Sequence, residues 1–475
     1  MARVPHIPLL RSGRPYRSLE VRPLRDVVGG EVIAEASQAS PGMISRDLRD
    51  MDQACEALGG LTVGRLLEIC REAGRRFAED ELPLGEDRQG PEDYVRQLSA
   101  TTAMPQSMVR SNVGKIVGAL EGMEAVLGGL TRGLDLEILD QGWGEQDGRR
   151  MSYLRQSRSL GAVLPNNSPG VHTLWLPSIP LKVPLVLRPG SAEPWTPLRI
   201  AEALFASGCP RQAISFYPSG HAGGNQILLG SERSMIFGDQ STVERWQRDL
   251  RVQAHGPGWS KILLDQESSE NWPSYLVLLA ASVGANGGRS CINASGVWAS
   301  NHGLELAQGL ATRLASVPAR GLEDPEAELA GFSDPEIARR LSQMIDDQLE
   351  IPGARDLTAE LRSGGRVVEV EGCTFLVPTV IWCEDPQHPL AQAEFGFPFV
   401  SVVQVPESQL FESIGPTLVA TVISDKPALR EQALTCAHVD RLNFGPIPTH
   451  QIAWDQPHEG NLFDHLYRQR AFQAA

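Results

Sequence analysis

The sequence of 475 residues lacks several features that would place it in whole classes of protein. Its longest apolar stretch, around residues 275–283, is about half the length of a membrane-spanning helix, so no membrane partner is expected. Lys and Arg form no long run and the formal net charge is −15, so no nucleic-acid partner is expected either. Prolines interrupt the short apolar stretch at the N-terminus, which argues against a signal peptide.

Paired cysteines are also missing. The seven cysteines are scattered and odd in number, and none forms a Cys-x-x-Cys motif, so we expect neither a disulfide framework nor a metal site. This pattern is typical of a reducing compartment, and we expect a cytoplasmic protein. The count leaves room for one thiol with a special role.

The composition is that of an ordinary globular protein, with 41% hydrophobic and 21% charged residues. The order of the apolar residues predicts a succession of helices and strands. Residues 1–60 predict an irregular N-terminal arm, and 61–134 are helical in pattern. From residue 160 onward, short apolar strands alternate with helices of ten to fifteen residues. Such alternation is typical of βαβ units, so the fold class is expected to be α/β with parallel sheets.

The strongest local signal surrounds Cys291, in the segment Gly-Gly-Arg-Ser-Cys-Ile-Asn-Ala-Ser at 287–295. A glycine-rich turn lets the backbone approach a ligand closely, and a thiolate favoured by nearby dipoles or cations is a good nucleophile. The alternative is a buried cysteine that packs as a small hydrophobic residue. We predict the nucleophile and keep the alternative open at this point.

Two further loops follow predicted strands. Pro-Asn-Asn-Ser-Pro at 165–169 places an amide where α/β proteins bind ligands, although such a segment can also be a simple turn. Phe-Gly-Asp-Gln-Ser-Thr-Val at 237–243 places backbone amides at a helix start, suited to a phosphate. Asp239 or Ser241 could equally cap that helix.

Taken together, these segments resemble the aldehyde dehydrogenase superfamily over residues 100–445. The resemblance implies roles for several residues. Asn167 and Cys291 correspond to the oxyanion-binding Asn and the nucleophile. The cofactor-binding positions correspond to Arg188, Gly238, Ser241, Glu394 and Phe397, with Glu394 at the nicotinamide ribose. The cofactor is expected to be NAD or NADP.

The resemblance also implies a domain organisation. An NAD(P)-binding domain is expected at 61–254, with a hairpin at 135–160 that could serve in oligomerisation. A catalytic domain is expected at 255–445, with the active site between the two Rossmann-like domains. Residues 446–475 form an atypical tail, read as helical, in place of the family's terminal strand. We expect a homo-oligomer, a dimer or tetramer.

Two further departures from the family pattern leave the reaction and the choice of cofactor open. His255 stands where the family has the Glu that activates water, and a histidine can also be a general base. Arg188 replaces a lysine and could accept a 2′-phosphate, whereas Glu193 could instead hold ribose hydroxyls.

The resemblance implies an oxidoreductase that acts on an aldehyde through a thiohemiacetal and a thioester on Cys291. In one hypothesis the acyl group is exchanged with coenzyme A as co-substrate, since acylating members lack the base Glu, and the partner is an aldehyde or an acyl-CoA. In a second, water activated by His255 releases a carboxylic acid. In a third, the protein is an inactive cofactor-binding assembly component.

Overall fold

The computed structural model describes residues 4–473 of the chain, which form two compact units. The first unit contains residues up to Thr101, residues 109–256 and the C-terminal segment from Ala453. The second contains residues 102–108 and 257–452. Each unit is built around one seven-stranded sheet, so the chain is an α/β protein.

The strands of the first unit come in two groups along the chain. The N-terminal group is β1 (His6–Ile7), β2 (Leu9–Arg11), β3 (Arg14–Tyr16), β4 (Val21–Arg25), β5 (Val32–Ser37), β6 (Leu82–Leu84) and β7 (Asp87–Gln89). The following group is β8 (Trp143–Gln146), β9 (Arg149–Arg155), β10 (Leu160–Val163), β11 (Leu185–Arg188), β12 (Ile214–Phe216), β13 (Arg233–Phe237) and β14 (Val252–His255). The main sheet has the order β14-β13-β10-β11-β12-β2-β3. Its strands from β10 to β14 are parallel, whereas β2 pairs antiparallel with β12.

Helices cover this unit's strands and connect them. They are α1 (Pro41–Asp47), α2 (Asp52–Gly59), α3 (Val63–Glu79), α4 (Pro91–Thr102), α5 (Gln106–Glu121), α6 (Met123–Leu130), α7 (Glu137–Gln141), α8 (Trp195–Ala206), α9 (His221–Gly230) and α10 (Gln240–Val243). Helix α3 shows why they form where they do. The Thr62 hydroxyl caps it by accepting from Arg65 N, and its apolar residues, spaced three and four apart, are buried.

The second unit repeats the architecture. Its strands are β15 (Ser260–Leu264), β16 (Ala294–Ala299), β17 (Ala354–Asp356), β18 (Val367–Val370), β19 (Cys373–Leu376), β20 (Thr379–Cys383), β21 (Phe399–Gln404), β22 (Thr417–Ile423) and β23 (Val439–Phe444). Its helices are α11 (Gln266–Glu270), α12 (Leu276–Gly284), α13 (Gly303–Ala315), α14 (Pro335–Leu349), α15 (Leu410–Ser413) and α16 (Pro427–Thr435). The sheet order is β17-β20-β21-β16-β15-β22-β23, parallel except at β17.

Short 3₁₀ segments complete both units, at Pro169–Leu174, Leu176–Ser178, Arg211–Ala213, Glu244–Trp246, Trp272–Tyr275, Ala285–Gly288, Pro389–Gln392 and Glu407–Gln409. Of the helices between residues 4 and 473, none has both the length and the apolar character that a membrane span requires. The same residues contain no grouping of His, Cys, Asp and Glu that could hold a metal ion.

The two ends of the chain differ from what the sequence pattern predicts. Residues 4–60 hold five strands and two helices rather than an irregular arm. The strands are short, and pairing completes them: β1, β5 and β4 form a sheet of their own, and β2 joins the main sheet beside β12, far along the chain. The helix predicted in the tail is limited to α17 (Leu462–Leu466) and is followed by β24 (Tyr467–Gln469). Strand β24 pairs antiparallel with β9, and so completes a three-stranded sheet with the hairpin β8–β9.

Candidate active site and cofactor cavity

Cys291 lies in a tight turn between α12 and β16 of the second unit. Three successive residues of this turn, Asn286, Gly287 and Gly288, have positive φ angles of 54°, 64° and 70°. A side chain on Gly288 would overlap the backbone of Phe397, so glycine is required there. The turn therefore holds the half-buried thiol of Cys291 at a conformationally costly site, which is common where function demands it.

Neighbouring side chains hold this turn in place. Asn293 Oδ1 accepts from Ser290 N at 2.9 Å, and its amide nitrogen donates to two backbone carbonyls at 2.9 and 3.0 Å. The guanidinium of Arg289 donates to the carbonyls of Thr102 and Gly331 and lies over the Phe332 ring. The nucleophile predicted from the sequence thus sits on a rigid support.

The backbone of Cys291 is fixed from the side of β15. The Ser260 hydroxyl donates to the Cys291 carbonyl at 2.8 Å, and a side chain on Gly258 would overlap that carbonyl oxygen. Burial lowers the pKa of Arg441, whereas its interaction with Cys291 raises that pKa. A cation that interacts with a thiol favours the thiolate form, which is the nucleophilic one.

Glu394 lies near the same turn. Its carboxylate accepts from the backbone N–H groups of Gly258 and Trp259, at 3.1 and 2.5 Å. Burial raises the pKa of Glu394 to about 7, against the effect of these two hydrogen bonds. Phe397, which the resemblance places at the cofactor, is 2% exposed and packs in the core of the second unit.

Lys261 is a buried cation beside Glu394, 1% exposed. Its ammonium group donates to Trp259 O at 2.8 Å and to the Thr417 hydroxyl at 3.4 Å. Burial lowers the pKa of Lys261 to about 7, although the charge of Glu394 raises it. The two groups together make this side of the turn sensitive to pH.

This lowered pKa predicts how stability depends on pH. Above pH 7 the unfolded chain keeps the Lys261 proton and the folded chain releases it, so the free energy of unfolding rises with pH. The contribution between pH 7 and pH 9 is about 2 kcal/mol. The Lys261→Met variant is expected to lose this increment. Urea unfolding of both proteins at the two pH values measures it, and equal pH dependence in both would contradict it.

In the first unit, the loop after β10 carries Asn167. Asn167 is exposed, and the loop around it is tied down by Asn112, a fully buried side chain of α5. Asn112 Oδ1 accepts from Gly170 N at 3.1 Å and from the Ser168 hydroxyl at 3.2 Å. The loop is therefore a supported element that leaves the Asn167 amide at its surface.

Arg188 ends β11, and the residues that follow it, 189–191, line a small cavity of about 20 Å³ at the carboxyl ends of β11 and β12. The Nε of Arg188 donates to Ser219 O at 3.1 Å. Glu193, which the sequence offers as a ribose ligand, is buried instead. Its carboxylate accepts from Thr196 N at 2.9 Å and lies 2.9 Å from His172 Nε2, so it caps α8 from within the protein.

The turn with Gly238 and Ser241 follows β13. Asp239 caps α10 by accepting from Thr242 N, and the Ser241 hydroxyl donates to Asp239 at 2.8 Å. Gly238 N donates to His255 O at 3.1 Å, and Thr242 occupies the space where a Gly238 side chain would be. Asp239 is therefore the helix cap, one of the two alternatives for this turn, and the turn is closely packed.

His255 ends β14 and is 7% exposed. Its Nδ1 lies 2.6 Å from Glu459 Oε2, and its ring stacks on Phe237 with centroids 4.5 Å apart. A carboxylate only accepts hydrogen bonds, so Nδ1 carries a proton, and in the neutral ring the lone pair is then on Nε2. Over the part of the chain that the structure describes, Nε2 has no hydrogen-bond partner. An imidazole held in this way can accept a proton.

Glu459 is a site residue that the sequence pattern does not reveal. The C-terminal segment that carries it is anchored on both sides: Trp454 packs on Gly118, and the Asn461 side chain donates to Leu130 O at 2.8 Å. Glu459 is 204 positions from His255, so no local motif could have indicated the pair.

The comparisons with known proteins agree on the fold. No protein-family model matches the sequence, and no curated protein does. Among solved structures, a putative aldehyde dehydrogenase from Burkholderia cenocepacia is 17% identical and has a TM-score of 0.78, covering 98% of this chain and 96% of its own. The aldehyde dehydrogenase KauB from Pseudomonas aeruginosa is 14% identical with a TM-score of 0.80 over 98% and 96%.

A third match is 3,6-anhydro-L-galactose dehydrogenase in complex with NADP, 14% identical with a TM-score of 0.75 over 98% of this chain and 99% of that one. At such identities a structural match establishes the architecture and leaves the activity to the residues themselves. The chain has the aldehyde dehydrogenase fold, and the fold class predicted from the sequence is confirmed.

Proposed function

We propose that the protein is an NAD(P)-dependent aldehyde dehydrogenase in which Cys291 is the nucleophile. One observation carries the proposal. In a chain with this fold, a turn of three residues with positive φ angles presents a half-buried thiol that interacts with Arg441. A cysteine retained only for packing needs neither the strained turn nor the cation.

The first unit offers a fitting place for the cofactor. The small cavity at the ends of β11 and β12 is lined by Gly190 and Ser219, and Arg188 precedes it at the end of β11. Ligands of open parallel sheets bind at the carboxyl ends of the strands, and a guanidinium suits a phosphate or ribose group. The proposed cofactor residues are Arg188, at the adenosine half, and Glu394, at the nicotinamide half. The bound dinucleotide would supply the hydride acceptor.

The chain's own residues supply the first part of the reaction. The Cys291 thiolate attacks the aldehyde carbon, and the carbonyl oxygen becomes an oxyanion. The Asn167 amide and the Cys291 backbone N–H are the proposed donors to this oxyanion. Loss of a hydride from the same carbon then leaves an acyl thioester on Cys291.

We propose that this thioester is hydrolysed. Water is a poor nucleophile until a base removes its proton, and His255 Nε2 has a lone pair with no partner in residues 4–473. Glu459 fixes the tautomer that leaves this lone pair available. In this proposal His255 is the base, Glu459 positions it, and the product is a carboxylic acid.

Transfer of the acyl group to coenzyme A is a second candidate, because position 255 lacks the carboxylate of the hydrolytic family members. A thiol needs less activation than water. Steady-state NAD(P)H formation with a panel of aldehydes, with and without coenzyme A, separates the two. Hydrolysis predicts full turnover without coenzyme A, and strict dependence on coenzyme A would overturn it in favour of acyl transfer.

We further propose that the protein acts in a reducing, cytoplasmic environment as a homo-oligomer that uses the hairpin β8–β9. All seven cysteines are thiols. Strand β8 is an edge strand with Trp143 45% exposed, and exposed edges and aromatic side chains favour pairing with another chain. Light scattering of the wild type and of a Trp143→Ser variant tests this, and an unchanged oligomeric state in the variant would contradict the hairpin's role.

A further inference from the structure

Helix α5 of the first unit carries a lysine, Lys115, that lies against the loop after β10. Its Cδ lies 3.6 Å from the position that a Cβ on Gly170 would occupy. Asn112, one turn earlier on the same side of α5, holds this loop through Gly170 N and the Ser168 hydroxyl. Lys115 and Asn167, the proposed donor to the aldehyde oxygen, therefore belong to one supported surface of the first unit.

The charge of Lys115 is partly shielded from water and has no counter-ion. The side chain is half-buried, whereas Ser111 and Gly114 on the same helix are exposed. Its ammonium group makes no ion pair and no hydrogen bond with any of residues 4–473. Burial lowers the pKa of Lys115, and no neighbouring charge raises it. A partly buried ammonium group without a partner is stabilised by an anion that binds beside it.

The aromatic ring of Trp454 extends the same surface. Lys115 and Gly118 are three positions apart on α5, so they lie on the same side of the helix. The Trp454 ring lies 3.7 Å from the position of a Cβ on Gly118, where the C-terminal segment packs against α5. The surface thus combines the loop that carries Asn167, an ammonium group and an aromatic ring. Such a combination suits a short apolar chain that ends in a carboxylate.

We propose that Lys115 binds a carboxylate at the far end of the aldehyde substrate, so that the substrate class is a short aldehyde acid. This inference rests on the proposed function, since that function places the aldehyde oxygen at Asn167. Gly170 is three residues beyond Asn167, so a carboxylate a few carbon atoms from the aldehyde group comes within reach of the ammonium group. Lys115 determines specificity in this proposal and takes no part in the bond changes at Cys291.

Equilibrium binding of two unreactive probes to the full-length protein tests the proposal without any turnover. The probes are succinamate and butanamide, which both carry a primary amide in place of the aldehyde. They differ only at the other end, where succinamate has a carboxylate and butanamide a methyl group. A hydrogen bond between charged groups is expected to make succinamate bind about ten- to a hundredfold more tightly. Calorimetry measures both affinities.

Three variants assign this preference to Lys115. Lys115→Met is expected to lose most of the preference for succinamate, whereas Lys115→Arg keeps the charge and should keep most of it. Arg110→Gln is the matched control, because Arg110 is a cation of the same helix that is exposed and pairs with Glu92. This control should keep the preference. The proposal is overturned if the two probes bind equally or not at all, if Lys115→Met retains the preference, or if Arg110→Gln loses it to the same extent.

Turnover of matched aldehydes separates this proposal from the proposed function. The kcat/KM values for 4-oxobutanoate and butanal are expected to differ by about the same factor as the probe affinities. A preference for succinamate in a protein that oxidises neither aldehyde would leave the carboxylate site standing and remove the proposed enzyme. Equal kcat/KM values for the two aldehydes, together with equal probe affinities, would keep the enzyme and overturn the role of Lys115.

Discussion

Replacing Cys291 with serine is expected to reduce aldehyde-dependent NAD(P)H formation by at least about 10³-fold. The hydroxyl of serine is far less acidic than a thiol, so the interaction with Arg441 cannot produce a useful anion from it. The similar volume should leave folding intact, because the turn is held by Asn293 and Arg289 rather than by the sulfur. Initial rates at saturating aldehyde and cofactor measure the effect.

Cys436 provides the matched control. It is also half-buried, and its sulfur lies 3.3 Å from His438 Nε2, so its surroundings are polar too. The Cys436→Ser variant should keep wild-type rates. Equal loss in both variants would mean that the effect is structural, and retained activity in the Cys291→Ser variant would remove the nucleophile from the proposal.

Replacing His255 with alanine is expected to slow steady-state turnover by about 10²- to 10⁴-fold while the first turnover survives. The reason is that the proposed base acts only on the thioester, after NAD(P)H has formed. Rapid-mixing absorbance should therefore show a burst of NAD(P)H close to one per active site, followed by a slow phase. Loss of the burst together with the steady-state rate would place His255 in an earlier step.

Glu459→Gln separates positioning from chemistry in the same experiment. An amide can still lie beside Nδ1, but it no longer fixes the tautomer as a carboxylate does. We expect an intact burst, a fall in kcat of about 10²-fold and an unchanged KM, with partial recovery in Glu459→Asp. The control is Asp464→Asn on the same C-terminal segment, since Asp464 pairs with Arg132 instead. Equal effects in both would indicate a role in anchoring the segment.

The central part of the fold could be predicted from the sequence because its signals are local. Strands β10 and β11 are short apolar runs that end in Pro- and Gly-containing loops, and helices separate them from the strands that follow. The N-terminal strands gave no such signal. Strand β4 contains Pro23 and is mostly exposed, so it shows neither a continuous apolar run nor a clear alternation. Its single partner strand, β5, supplies the pairing that the sequence of β4 does not indicate.

The residues of the candidate site also fall into two groups, those that local sequence motifs indicate and those that they do not. Cys291, Asn167 and His255 could be proposed because each lies in a motif with a recognisable order along the chain. Glu459 could not, because it reaches His255 from the C-terminal segment and its importance depends on three-dimensional proximity alone. Glu193 is the opposite case. Its position in the sequence suggests a ligand for ribose hydroxyls, but its carboxylate is buried and accepts from Thr196 N.

The most direct test of Cys291 as the nucleophile is the mass of the intact protein after brief mixing with an aldehyde and NAD or NADP. If Cys291 is the nucleophile, the wild type gains an acyl group on the peptide that contains Cys291, and the His255→Ala variant gains more of it because hydrolysis is slow there. Cys291→Ser should show no such addition. The absence of an adduct in the wild type and in His255→Ala with every aldehyde tried, or an adduct on another residue, would contradict the central claim that Cys291 is the nucleophile.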